Sequence, residues 1–75
     1  MIKLYSKKDC AKCSEIKEVM TSKKVAFKEF PTDEEENLSF LIEQGVDISE
    51  LPIIEKDGKF YTNKTTGLMR AILNA

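Results

Sequence analysis

The chain holds two cysteines, Cys10 and Cys13, with two residues between them. They sit in Tyr5-Ser6-Lys7-Lys8-Asp9-Cys10-Ala11-Lys12-Cys13, between an apolar extended start (Ile2, Leu4) and an amphipathic run (Ile16, Val19, Met20). That pattern predicts strand, short loop, then helix, with Cys10 at the helix entrance. A cysteine placed there faces backbone N–H groups without intrahelical partners, and the helix dipole favours its thiolate over the thiol. Cys13, at the third helical position, comes near enough to close a small disulfide ring. The chemistry expected is thiol–disulfide exchange, with Cys10 the nucleophile and Cys13 the resolving cysteine. Lys7, Lys8 and Lys12 should favour the Cys10 thiolate and Asp9 should oppose it, for a net depression of the thiol pKa.

Two other readings of the pair stay open. A zinc site needs about four N or S ligands, and the chain has no histidine and no third cysteine. A metal within one chain would have to recruit carboxylates, so a metal or iron–sulfur module would use the CxxC cysteines of two chains. The pair could also be two small buried apolar side chains. Each lysine taken singly is more often a solvated charge than a binding group.

The elements that position the pair follow from periodicity. Ile2-Lys3-Leu4-Tyr5 alternates as a strand, and from Ala11 to about Lys24 apolar residues recur at helical spacing. Val25–Phe30 reads as a second strand bounded by Pro31, parallel to the first through a right-handed crossover. Thr32-Asp33-Glu34-Glu35 has the form of a capping box, opening a helix with Leu38, Leu41 and Ile42 on its buried face and Gly45 at its end. The acidic run is thus helix-start chemistry rather than a divalent-ion site. An irregular connection over 46–50 leads to a strand over Leu51–Lys56, with Pro52 at its start, where a missing N–H does least harm. Asp57-Gly58 is a hairpin signal, and Lys59-Phe60-Tyr61 returns antiparallel. Thr65 or Thr66 then caps a short helix burying Leu68, Met69, Ile72 and Leu73.

The order β-α-β-α-β-β-α predicts one α/β domain over residues 1–75, a four-stranded mixed sheet in the order 2-1-3-4 with helices on both faces. At 75 residues, 41% hydrophobic and 33% charged, the chain has the composition of an ordinary small globular domain. A disulfide closing so short a loop removes little entropy from the unfolded chain, so its expected use is reaction. A net charge of −1 and few aromatic residues give no nucleic-acid footprint. The absence of a signal-peptide pattern or a membrane-length apolar run leads to the expectation of a cytoplasmic protein without a membrane partner, acting as a monomer. In such a compartment a CxxC is more often catalytic than structural.

With this element order, Tyr5-Ser6-Lys7-x-x-Cys10-x-x-Cys13 near the N-terminus and Leu51-Pro52 before the third strand, the chain resembles the glutaredoxin branch of the thioredoxin fold over essentially its whole length. X–Pro bonds are cis in only about 5–6% of cases, but the resemblance implies a cis Leu51–Pro52 bond packed beside the CxxC. It also implies that Leu51 backbone groups pair with a bound thiol substrate, and that Lys7 contacts a carboxylate of glutathione. The chain departs from the family pattern at two places. Ala11-Lys12 replaces the usual Pro-Tyr between the cysteines, removing an aromatic wall and adding a charge. The Gly-Gly and following Asp that hold the γ-glutamyl end of glutathione fall near Thr62-Asn63 and Thr65. The resemblance therefore implies no tightly bound cofactor. The electron source is either glutathione as co-substrate or, as in small glutaredoxin-like redoxins lacking that clamp, thioredoxin reductase. The partner that the resemblance implies is a disulfide-containing protein such as ribonucleotide reductase. Lys7, Lys12, Leu51, Pro52 and Thr65 are the expected substrate-binding residues.

Overall fold

A computed structural model describes residues 2–62 and 68–73; the positions expected to cap the last helix, Thr65 and Thr66, and the Met69 side chain lie outside the described residues. The chain runs β1 (Ile2–Ser6), α1 (Ala11–Ser22), β2 (Phe27–Pro31), α2 (Glu35–Glu43), a 3-10 turn (Ile48–Glu50), β3 (Ile53–Lys56), β4 (Lys59–Tyr61) and α3 (Leu68–Leu73). The strands form one sheet in the order β2-β1-β3-β4. β1 runs parallel to β2 and antiparallel to β3, and β3–β4 is an antiparallel hairpin. Asp57 and Gly58 both have positive φ, 51° and 80°, as the two-residue type I′ turn requires.

Central β1 is covered on both sides. Ile2, Leu4 and Ile54 pack with Ile16 and Met20 of α1 and Leu68 and Ile72 of α3. On the opposite face Tyr5 and Ile53 pack with Leu41 of α2, flanked by Phe30, Phe40 and Phe60. The period of two in Ile2-Lys3-Leu4-Tyr5 is thereby broken at Tyr5, buried beneath α2. None of the helices among the described residues is long and apolar enough to cross a membrane.

Several boundaries differ from the sequence reading, each for a local reason. α1 stops at Ser22 because Lys24 turns left-handed (φ 58°) while the Lys24 and Val25 N–H groups donate to the Thr21 and Met20 carbonyls. This is the Schellman arrangement without its usual glycine. Val25 is used up in that turn, so β2 begins at Phe27. Pro31 belongs to β2, which tolerates it because β2 is an edge strand.

Thr32 does not open α2. Its N–H and its hydroxyl both donate to the Ser6 carbonyl, at 2.6 and 2.9 Å, extending the ladder by one residue. Glu34 is the N-cap and makes no side-chain capping bond. Glu35 and Glu36 still occupy the first turn, where the dipole favours them. At the other end Gly45 (φ 74°) closes a Schellman turn, with Val46 N–H on the Leu41 carbonyl. Ile42 is 58% exposed, and Phe40 joins Leu41 in packing against the sheet. In α3, Leu73 is exposed and Ala71 takes the buried place. β3 starts at Ile53, after a cis Leu51–Pro52 bond.

Candidate active site

Cys10 is the N-cap of α1, with extended backbone (φ −107°, ψ 105°), and its Sγ accepts a hydrogen bond from Cys13 N–H at 3.2 Å. The Cys10 carbonyl accepts the first helical bond, from Ser14 N–H at 3.2 Å. The two sulfurs are joined as a disulfide, with the Cα atoms 5.3 Å apart. Their surroundings are unequal: Cys10 is partly exposed at the helix tip, whereas Cys13 is only 2% exposed. A partner arriving from solvent therefore meets Cys10 first.

A groove of about 650 Å³ runs alongside, lined by both cysteines and by Lys7, Lys17, Glu29 and Asp33 among others. Glu29 Oε2 accepts from Ser6 Oγ at 2.6 Å and from Lys17 Nζ at 3.1 Å. The Ser6 hydrogen bond, then that of Lys17 and its charge, hold the Glu29 carboxyl below the usual carboxylate range despite the opposing effect of partial burial. Across the groove Asp33 Oδ2 accepts from Lys8 N–H at 2.8 Å.

The expected substrate-binding residues divide. Lys7 lines the groove. Lys12 points elsewhere on the exposed helix surface, 3.8 Å from Glu15, a pairing of little energetic weight there. Leu51 and Pro52 are not among the residues lining the groove, but they sit at the same end of the sheet. Tyr5↔Ile53 is the last pair of the β1–β3 ladder, so the chain entering β3 adjoins the end of β1 from which the cysteine loop departs. Pro52 is buried and Leu51 packs with the α2-side core. Thr65 lies outside the described residues. No group of three or more His, Cys, Asp or Glu among the described residues is arranged to hold a metal ion.

Ser6, Lys17, Glu29 and Asp33 were not anticipated in the site. Ser6 and Glu29 meet as diagonal neighbours of the parallel ladder, where Leu4 faces Glu29 and Ser6 faces Pro31. Lys17 carried a usable sign, since it stands four residues after Cys13 and thus on the same helix face. Asp33 carried a misleading one, the capping-box pattern.

The architecture is that of the thioredoxin-like class. The fold is shared with the thioredoxin-like protein BC3987, whose crystal structure superposes with a TM-score of 0.81 at 23% identity, covering 97% of this chain and 100% of that one. A single-site mutant of that protein gives 0.82 at 24% identity, over 99% and 100%. Within the class, the glutaredoxin family model matches residues 2–61. The chain belongs to the glutaredoxin family. No curated protein matches it.

Proposed function

We propose that the protein is a dithiol–disulfide oxidoreductase that reduces disulfides through Cys10 and Cys13. The observation that carries this reading is the placement of Cys10 as N-cap, its sulfur on the Cys13 N–H and within bonding reach of the buried Cys13 sulfur. The Cys10 thiolate attacks one sulfur of the substrate disulfide and displaces the other as a thiolate, which takes up a proton. Cys13 then loses its proton and attacks the Cys10 sulfur, releasing the second substrate thiolate. Two electrons and the Cys13 proton leave the protein, the other substrate thiolate takes its proton from water, and the protein ends as the Cys10–Cys13 disulfide.

Reduction of that disulfide returns the protein to its starting state. Glutathione, with Lys7 beside the groove, and thioredoxin reductase are the two electron sources to compare. The substrate is a protein disulfide or a glutathione mixed disulfide, ribonucleotide reductase being the first protein to try, in the cytoplasm. Cys13→Ser should accumulate a mixed disulfide that is visible by mass, and Cys10→Ser should abolish exchange. Disulfide reduction by Cys10→Ser at the parent rate would sink the assignment. Turnover with glutathione and its reductase, set beside turnover with NADPH and thioredoxin reductase, identifies the supply.

A further inference from the structure

The link between β1 and α1 turns within four residues, 7–10, and does so through Asp9 at φ 58°. Left-handed backbone costs a residue that carries a Cβ, Asp less than most, and a hold from outside the turn would fix it in place. One is present: Lys8 N–H donates to Asp33 Oδ2 at 2.8 Å, from a segment 25 residues away in sequence. Asp33 is itself presented from a fixed point, because Thr32 before it is bonded twice to the Ser6 carbonyl at the end of the central strand. The same carboxylate lines the groove with both cysteines.

We propose that Asp33 is a positioning residue for the thiol chemistry: by holding the Lys8 N–H it fixes the turn that keeps Cys10 extended at the N-cap, its sulfur on the Cys13 N–H. This rests on the reading of Cys10 as the nucleophile. Asp33 acts through the backbone and does not touch the reacting sulfur.

Its carboxylate exerts two opposed effects. The hydrogen bond orders the turn, and so keeps the helix N–H groups aimed at the thiolate. The negative charge disfavours that thiolate. Asp33→Asn keeps an acceptor of the same length and removes the charge, whereas Asp33→Ala removes both, so the difference between the two variants isolates the hydrogen bond.

The test is the rate of Cys10 alkylation by iodoacetamide, followed from mildly acid to mildly alkaline pH. Three proteins are compared, all carrying Cys13→Ser: one with Asp33 intact, one with Asp33→Asn added and one with Asp33→Ala added. Asp33→Asn should react at or above the rate of the protein with Asp33 intact, with the midpoint of its pH profile moved to lower pH. Asp33→Ala should react about threefold more slowly than Asp33→Asn at neutral pH, the scale of losing a helix-terminus interaction, with a midpoint above that of Asp33→Asn. Should Asp33→Ala fail to fold, Asp33→Ser, whose side chain stops short of Lys8 N–H, takes its place with the same expected order. Identical rates and midpoints for the two variants, in a protein whose Cys10 is reactive, overturn the positioning role alone. A Cys10 no more reactive than a free thiol in solution when Asp33 is intact overturns that role and the proposed function together.

Discussion

Replacing Glu29 with Gln removes a charge from the groove lining while keeping an oxygen that can accept from Ser6. In the folded chain Oε2 of Glu29 accepts from Ser6 Oγ at 2.6 Å and from Lys17 Nζ at 3.1 Å, and these partners lower its pKa. Because the folded value lies below that of the unfolded chain, ionised Glu29 favours the native state above the ordinary carboxylate range. That contribution fades as pH falls through the depressed folded value.

A hydrogen bond to a charged group is worth roughly 1.5–3 kcal/mol when shielded. The side chains of Lys17 and Glu29 are 39% and 35% exposed, and solvent screening brings the net to about 1 kcal/mol or less. In a domain of this size about 1 kcal/mol moves Tm by roughly 4–8 °C. Urea unfolding of the parent and of Glu29→Gln should therefore differ by up to about 1 kcal/mol at neutral pH and converge well below the carboxylate range. A difference that persists undiminished in acid would refute the reasoning, since it would arise from packing rather than charge. So would equal stability at neutral pH.

The orientation of α2 is tested by neighbouring residues: Leu41→Ala, at a fully buried position, should cost about 2–5 kcal/mol. Ile42→Ser, at a position 58% exposed, should stay within about 0.5 kcal/mol, and chemical denaturation showing the reverse order would contradict the helix orientation. Tyr5, stacked between Phe30 and Phe40, has its phenol pKa pushed up to about 12, first by burial and then by the charge of Glu55 and the hydrogen bond to it. The neutral phenol should stabilise the native state fully below the ordinary tyrosine value near ~10, and that stabilisation should disappear as pH rises through about 12. An ultraviolet titration should show a late ionisation step that Tyr5→Phe removes; a late step surviving in the variant would assign it elsewhere.

The order of elements and the sheet order were legible because each strand and helix carries its own period, and turns such as Asp57-Gly58 and Gly45 bear the residues their backbone requires. Placement of Cys10 at the helix entrance was legible for the same reason: the strand ends and the amphipathic run begins within a few residues of it. Where a polar residue had two uses, local pattern chose the wrong one. Thr32 and Asp33 have the spacing of a capping box, yet the Ser6 carbonyl and the Lys8 N–H needed partners, and those residues went to them. Ile42 and Leu73 look like core by spacing. Their exposure depends on how each helix rolls against the sheet, which is set by packing of larger neighbours such as Phe40.

The sequence by itself determined the order of elements, the pair of sulfurs and their places at a helix start, because these rest on local periodicity and spacing. Only the tertiary structure decided what surrounds the sulfurs. Ser6 and Glu29 meet through the parallel register of β1 and β2, and Asp33 reaches Lys8 across 25 residues. Register and long-range hydrogen bonds come from the packing of whole elements, and no local spacing encodes them.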